Sequence, residues 1–88
     1  MTLTKKTMIK EIGRRTKLKN RDVQLMLETL IEVWTEELVS GGRIELEHFM
    51  VMDVQTIERA ANRLLMKRKF RQIAVRASKA LREKLNPQ

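Results

Sequence analysis

Residues 20–39 constrain this chain most. Val23, Met26, Leu27, Leu30, Ile31, Val33, Trp34 and Leu38 recur there at helical spacing and spread over more than one stripe. A surface helix of a monomer needs only one apolar stripe. The pattern therefore predicts a helix covered on two sides, by its own sheet and by a partner subunit. Asn20, or the residue before it, starts this helix, and Ser40-Gly41-Gly42 stops it near Val39, because Gly takes the left-handed conformation that closes a helix C-terminus. At 88 residues the chain is one small domain that buries little apolar surface alone. It has no Cys to staple it and no Cys/His cluster for a metal. Oligomerisation is the remaining common way to enlarge the core.

The apolar period changes along the chain. Thr4 can cap a first helix to about Arg15, in which Met8, Ile9 and Ile12 make one face. Residues 16–20 read as a turn. From Arg43 the period becomes two: Ile44, Leu46, His48, Met50, Met52 and Val54 alternate with Glu45, Glu47, Phe49, Val51 and Asp53. That is a strand, or two short strands with a turn near His48. On propensity alone residues 58–69 read as a short helix. Residues 70–75 read as a strand, and Ser78 can cap a final helix that Asn86-Pro87 ends. The order is α-α-β-β-(basic segment)-β-α, an α+β chain with three strands.

Charge is unevenly placed. Residues 59–82 hold nine bases and no acid, whereas the remainder holds ten bases and eleven acids and sums close to neutral. The formal charge of +8 is therefore local. The isoelectric point near 10.5 points to nucleic acid or an acidic membrane surface. Electrostatic binding depends on how many phosphates one face can neutralise, so a local block suits a polyanion. Leu64, Leu65, Met66, Phe70, Ile73 and Val75 are interspersed in the block, so it reads as folded rather than as a basic tail.

That order, with these residues, resembles the HU/IHF family of histone-like, nucleoid-associated DNA-binding proteins. Val75-Arg76-Ala77-Ser78-Lys79-Ala80-Leu81 is similar to the family's strand-to-helix junction. Thr4-Lys5-Lys6-Thr7-Met8-Ile9 is similar to its first helix, and Leu18, the long helix, Gly41 and the strand leading to Phe49 follow at matching spacing. The resemblance implies an obligate intertwined homodimer. Leu27, Leu30, Ile31, Trp34, Leu38 and Phe49 would be its core, and two basic β-ribbon arms would reach around the minor groove. It divides the single domain, residues 1–88, into a helical dimerisation part (4–39), sheet and arm (43–76) and a C-terminal helix (78–86). The implied DNA contacts are Arg59, Arg63, Lys67, Arg68, Lys69 and Arg71 on the arm, with Arg76 and Lys79 at the junction.

The departures from the family pattern make this a divergent member. His48-Phe49-Met50 stands where the family has Gly-Phe-Gly, so strain is expected at His48 and Met50 if both positions need unusual backbone angles. Ala77 replaces a Pro. The arm is several residues shorter and lacks the tip Pro that wedges between base pairs. Leu64, Leu65 and Met66 could supply a wedge instead, or pack on the body or form a short helix.

No catalytic constellation accompanies His48, the single His, so an enzyme is not expected, and no cofactor, metal or small-molecule substrate is implied. No apolar run is long enough to span a membrane. The chain reads as cytoplasmic and nucleoid-associated, a low-specificity architectural binder of duplex DNA that bends or compacts it. RNA or ribonucleoprotein binding is an alternative, weakened by the lack of stacking aromatics besides Phe70. A dimeric protein-interaction scaffold with an altered arm is another.

Overall fold

The computed structural model describes residues 1–60 and 67–87, with side chains described to residue 58 and from residue 69 onward. The elements run α1 (Lys5–Thr16), α2 (Asn20–Val39), β1 (Ile44–Leu46), β2 (Met50–Ala60), β3 (Lys67–Ala77) and α3 (Lys79–Leu85). The class is α+β. The chain forms two compact units, Met1–Thr35 and Glu36–Gln88.

In the first unit, local chemistry sets both ends of α1. The Thr4 hydroxyl accepts from the Thr7 N–H at 3.2 Å, and the Thr7 hydroxyl accepts from the Thr4 N–H at 2.8 Å. This is a capping box with Thr in the place usually held by Glu. At the other end Lys17 is left-handed, with φ 63, and its N–H donates to the Gly13 carbonyl at 2.9 Å. Gly13 is buried, and a Cβ there would run into the Asn20 side-chain oxygen. The end of α1 thus lies hard against the start of α2. Lys5 and Glu28 add an ion pair between the two helices at 3.3 Å.

In the second unit, the sheet has the order β1-β2-β3 and is antiparallel throughout. Leu46 pairs with Met50 and Ile44 with Met52. The connecting turn is closed by the Phe49 N–H donating to the Leu46 carbonyl at 2.9 Å. Its third residue, His48, has φ 64, the sign a type II turn requires there and the reason Gly is favoured at such positions. Backbone strain therefore falls on His48. Met50 begins β2 without a positive φ.

β2 and β3 pair over eleven residues, from Met50 opposite Ala77 to Ala60 opposite Lys67. Residues 58–60 and 67–69, which propensity assigns to a helix, are thus strand. Backbone pairing across the ribbon outweighs a propensity worth only tenths of a kcal/mol per residue. Residues 61–66, and with them Arg63 and the wedge candidates Leu64 and Leu65, lie outside the described residues. Ser78 caps α3, its hydroxyl accepting from the Leu81 N–H at 3.1 Å, while its own N–H donates to the Phe49 carbonyl at 2.8 Å.

Few apolar side chains are covered. Among the described residues only Val23 and Ile44 are buried hydrophobics. On α2, Leu25 is 66% exposed, Met26 53% and Ile31 50%. On the sheet, Ile73 and Val75 are each 56% exposed. Among the described residues, neither unit has a closed core of its own. No helix among the described residues is long and apolar enough to cross a membrane.

Candidate nucleic-acid interface

The β2–β3 ribbon carries most of the basic block. Strand alternation puts Lys69, Arg71, Ile73 and Val75 on one face, with Glu58, Thr56, Val54 and Met52 directly opposite them on β2. That face is apolar toward β1 and charged toward the far end of the ribbon. Arg59 and Arg68 occupy facing register positions, and Lys67 pairs with Ala60. Arg76 lies near the other end of β3, opposite Val51, and Lys79 opens α3.

Most described bases of this block already have a partner inside the chain. Lys69 Nζ lies 3.4 Å from Glu58. Arg76 reaches Asp53 at 3.0 Å, leaving the other Asp53 oxygen, Oδ1, buried and without a hydrogen bond among the described residues. Lys79 lies 4.0 Å from Glu83, one helical turn on. Arg71 donates to the Leu38 carbonyl at 2.9 Å. This last bond has a clear electrostatic cause. The last turn of α2 contains no base and ends with Glu36 and Glu37 close by, although the negative end of a helix favours cations. Arg71 supplies from β3 the positive group that α2 lacks.

Netting the chain outside residues 59–82 to near neutrality conceals a second basic segment. Residues 5–21 hold eight bases and one acid, Glu11. The other ten acids of that remainder fall elsewhere, beside only Arg43 and Lys84. A windowed charge count finds this segment; a sum does not. Glu11 is held by Arg14 and Arg15, whose hydrogen bonds pull its carboxyl down to about 2, so it stays ionised. Lys6, Lys10, Lys17, Lys19 and Arg21 make no ion pair among the described residues.

The six expected dimer-core residues are incompletely covered. Leu30, Ile31 and Phe49 are exposed, and Leu27, Trp34 and Leu38 are half-buried. No group of three or more His, Cys, Asp or Glu capable of holding a metal occurs among the described residues.

Two N-terminal helices, a three-stranded antiparallel sheet with a long basic β2–β3 pairing, and a short C-terminal helix define the fold class. Residues 3–86 match the sequence profile of the family described as bacterial DNA-binding protein, and the chain belongs to that family. It is 32% identical to DNA-binding protein HU of Thermotoga maritima over 53 residues, 60% of this chain and 59% of that protein. The structure of an HU mutant from Thermotoga maritima superposes with a TM-score of 0.73 at 30% identity, covering 96% of this chain and all of that one. The Anabaena HU–DNA cocrystal structure is similar in fold, with a TM-score of 0.75 at 20% identity over 98% of this chain and all of that one.

Proposed function

We propose that the chain is an architectural DNA-binding protein that works as a homodimer on duplex DNA. It binds through phosphates and the minor groove with little sequence preference, and bends or compacts the duplex, as a nucleoid-associated protein in a bacterial cytoplasm. Membership of the bacterial DNA-binding family over residues 3–86 carries this reading. The paired basic ribbon and the uncovered apolar face of α2 support it. The contacts assigned to DNA are Arg59, Arg63, Lys67, Arg68, Lys69, Arg71, Arg76 and Lys79. Phosphate contacts fix register and carry no direct sequence information, which suits a low-specificity binder. The homodimer core is assigned to Leu27, Leu30, Ile31, Trp34, Leu38 and Phe49. The reading calls for no catalysis, cofactor or small-molecule substrate.

Gel mobility shifts across a salt series test it. Each neutralised phosphate contributes roughly −0.9 to the slope of log K against log salt. Charge reversal at Arg68 and Lys69 is expected to weaken binding to all duplex sequences alike. A protein that fails to shift duplex DNA even at low salt, or prefers structured RNA in competition, sinks the proposal.

A further inference from the structure

We propose that Asp53 sets how tightly the ribbon holds duplex DNA, by neutralising Arg76 from inside the chain. The inference rests on the DNA-binding reading and deepens it. Residues 59–82 contain no acid, but β2 brings two acids, Asp53 and Glu58, against bases of β3. The two acids lie on opposite faces of the ribbon, because strand alternation separates odd from even positions. Glu58 shares its face with Lys69 and Arg71, and Arg71 donates to the Leu38 carbonyl. The end of α2 therefore lies against that face. Asp53, Gln55, Gln72 and Arg76 share the other face, which is turned away from the end of α2.

The two ion pairs differ in depth. Glu58 and Lys69 are both well exposed, and a phosphate displaces such a pair at little cost. The Asp53 side chain is only 24% exposed, whereas that of Arg76 is 62% exposed. A phosphate can therefore reach the guanidinium but finds the carboxylate fixed behind it. Arg76 Nη2 donates to Asp53 Oδ2 at 3.0 Å. Neither backbone is free to swing away. Both residues stand within the continuous pairing that ends with Met50 opposite Ala77, and the Ser78 N–H extends it onto the Phe49 carbonyl at 2.8 Å. Stability does not account for the acid. Its Oδ1 is buried and makes no hydrogen bond among the described residues, and a buried acceptor without a donor works against folding. What the carboxylate supplies is charge. With it the pair presents no net charge to a phosphate, and Arg76 releases fewer counterions than a lone base. Asp53 is thus a positioning residue that acts through Arg76 and touches no DNA.

The test compares full-length wild type with Asp53→Asn on duplex DNA across a salt series. Asn keeps the size of the side chain and an oxygen for Arg76, and removes only the charge. The variant is expected to bind more tightly at low salt and to steepen the log–log salt slope by roughly 0.9 per chain. For a homodimer, the ratio of variant to wild-type affinity then falls about tenfold between about 50 and 200 mM salt. With Arg76→Gln already in place, Asp53→Asn is expected to change the slope by less than half as much, because no cation is left to release. Urea denaturation follows the fold of each variant, and Asp53→Ser makes the same change of charge if the Asn variant does not fold. A lower urea midpoint with an unchanged or shallower slope gives Asp53 a structural role only and overturns the inference. An equal gain of slope with and without Arg76 also overturns it, because net charge then suffices. Failure of wild type to bind duplex even at low salt removes the parent reading instead.

Discussion

His48 shows how a single residue carries the cost of a turn. Its φ of 64 lies where side chains other than Gly, Asn and Asp pay roughly 1–2 kcal/mol. His48→Gly is therefore expected to raise stability, by up to about 1 kcal/mol once the greater freedom of Gly in the unfolded chain is subtracted. Urea denaturation reads this directly, and a loss of stability would mean that the imidazole makes a contact worth more than the strain. Gly41, with φ 86, already has the residue its backbone asks for. Lys17 shares the left-handed geometry at the end of α1, where the closing bond to Gly13 offsets part of the cost.

Elements fixed by adjacent residues were legible in the sequence. Thr4 and Ser78 cap helices because the hydroxyl needs only an N–H three residues on, and Gly41 ends α2 for an equally local reason. Residues 58–60 and 67–69 were not legible. Their strand comes from pairing between the two sides of a hairpin, and Glu, Ala, Lys and Arg are good helix formers when that pairing is ignored. The basic ribbon was legible as charge, but its internal compensation was not. Arg71 meets the Leu38 carbonyl across 33 positions of sequence, and no local pattern encodes that. Arg71→Gln is expected to destabilise α2's end by about 1 kcal/mol, the scale of an exposed hydrogen bond from a charged donor. It should also change the salt slope on DNA by less than a full contact, because the guanidinium already has an acceptor. A loss of slope near 0.9 with no change in stability would show that the helix end does not hold this side chain.

For the whole molecule, the decisive quantity is how little apolar surface one chain covers. Leu30 tests this. If α2 faced only solvent, Leu30→Glu would change stability by no more than about 0.5 kcal/mol, like other exposed positions. With Leu30 in a two-chain core, the same change is expected to abolish the dimer in sedimentation equilibrium and to unfold most of the protein. Wild type should sediment at twice the chain mass. That only Val23 and Ile44 are buried hydrophobics among the described residues then has a consequence for handling. For the proposed homodimer, folding is second order, and the free energy of the folded pair shifts by about 1.4 kcal/mol for each tenfold change in concentration. A melting temperature for such a pair has meaning only beside the concentration at which it was taken, and dilution acts on it as a denaturant.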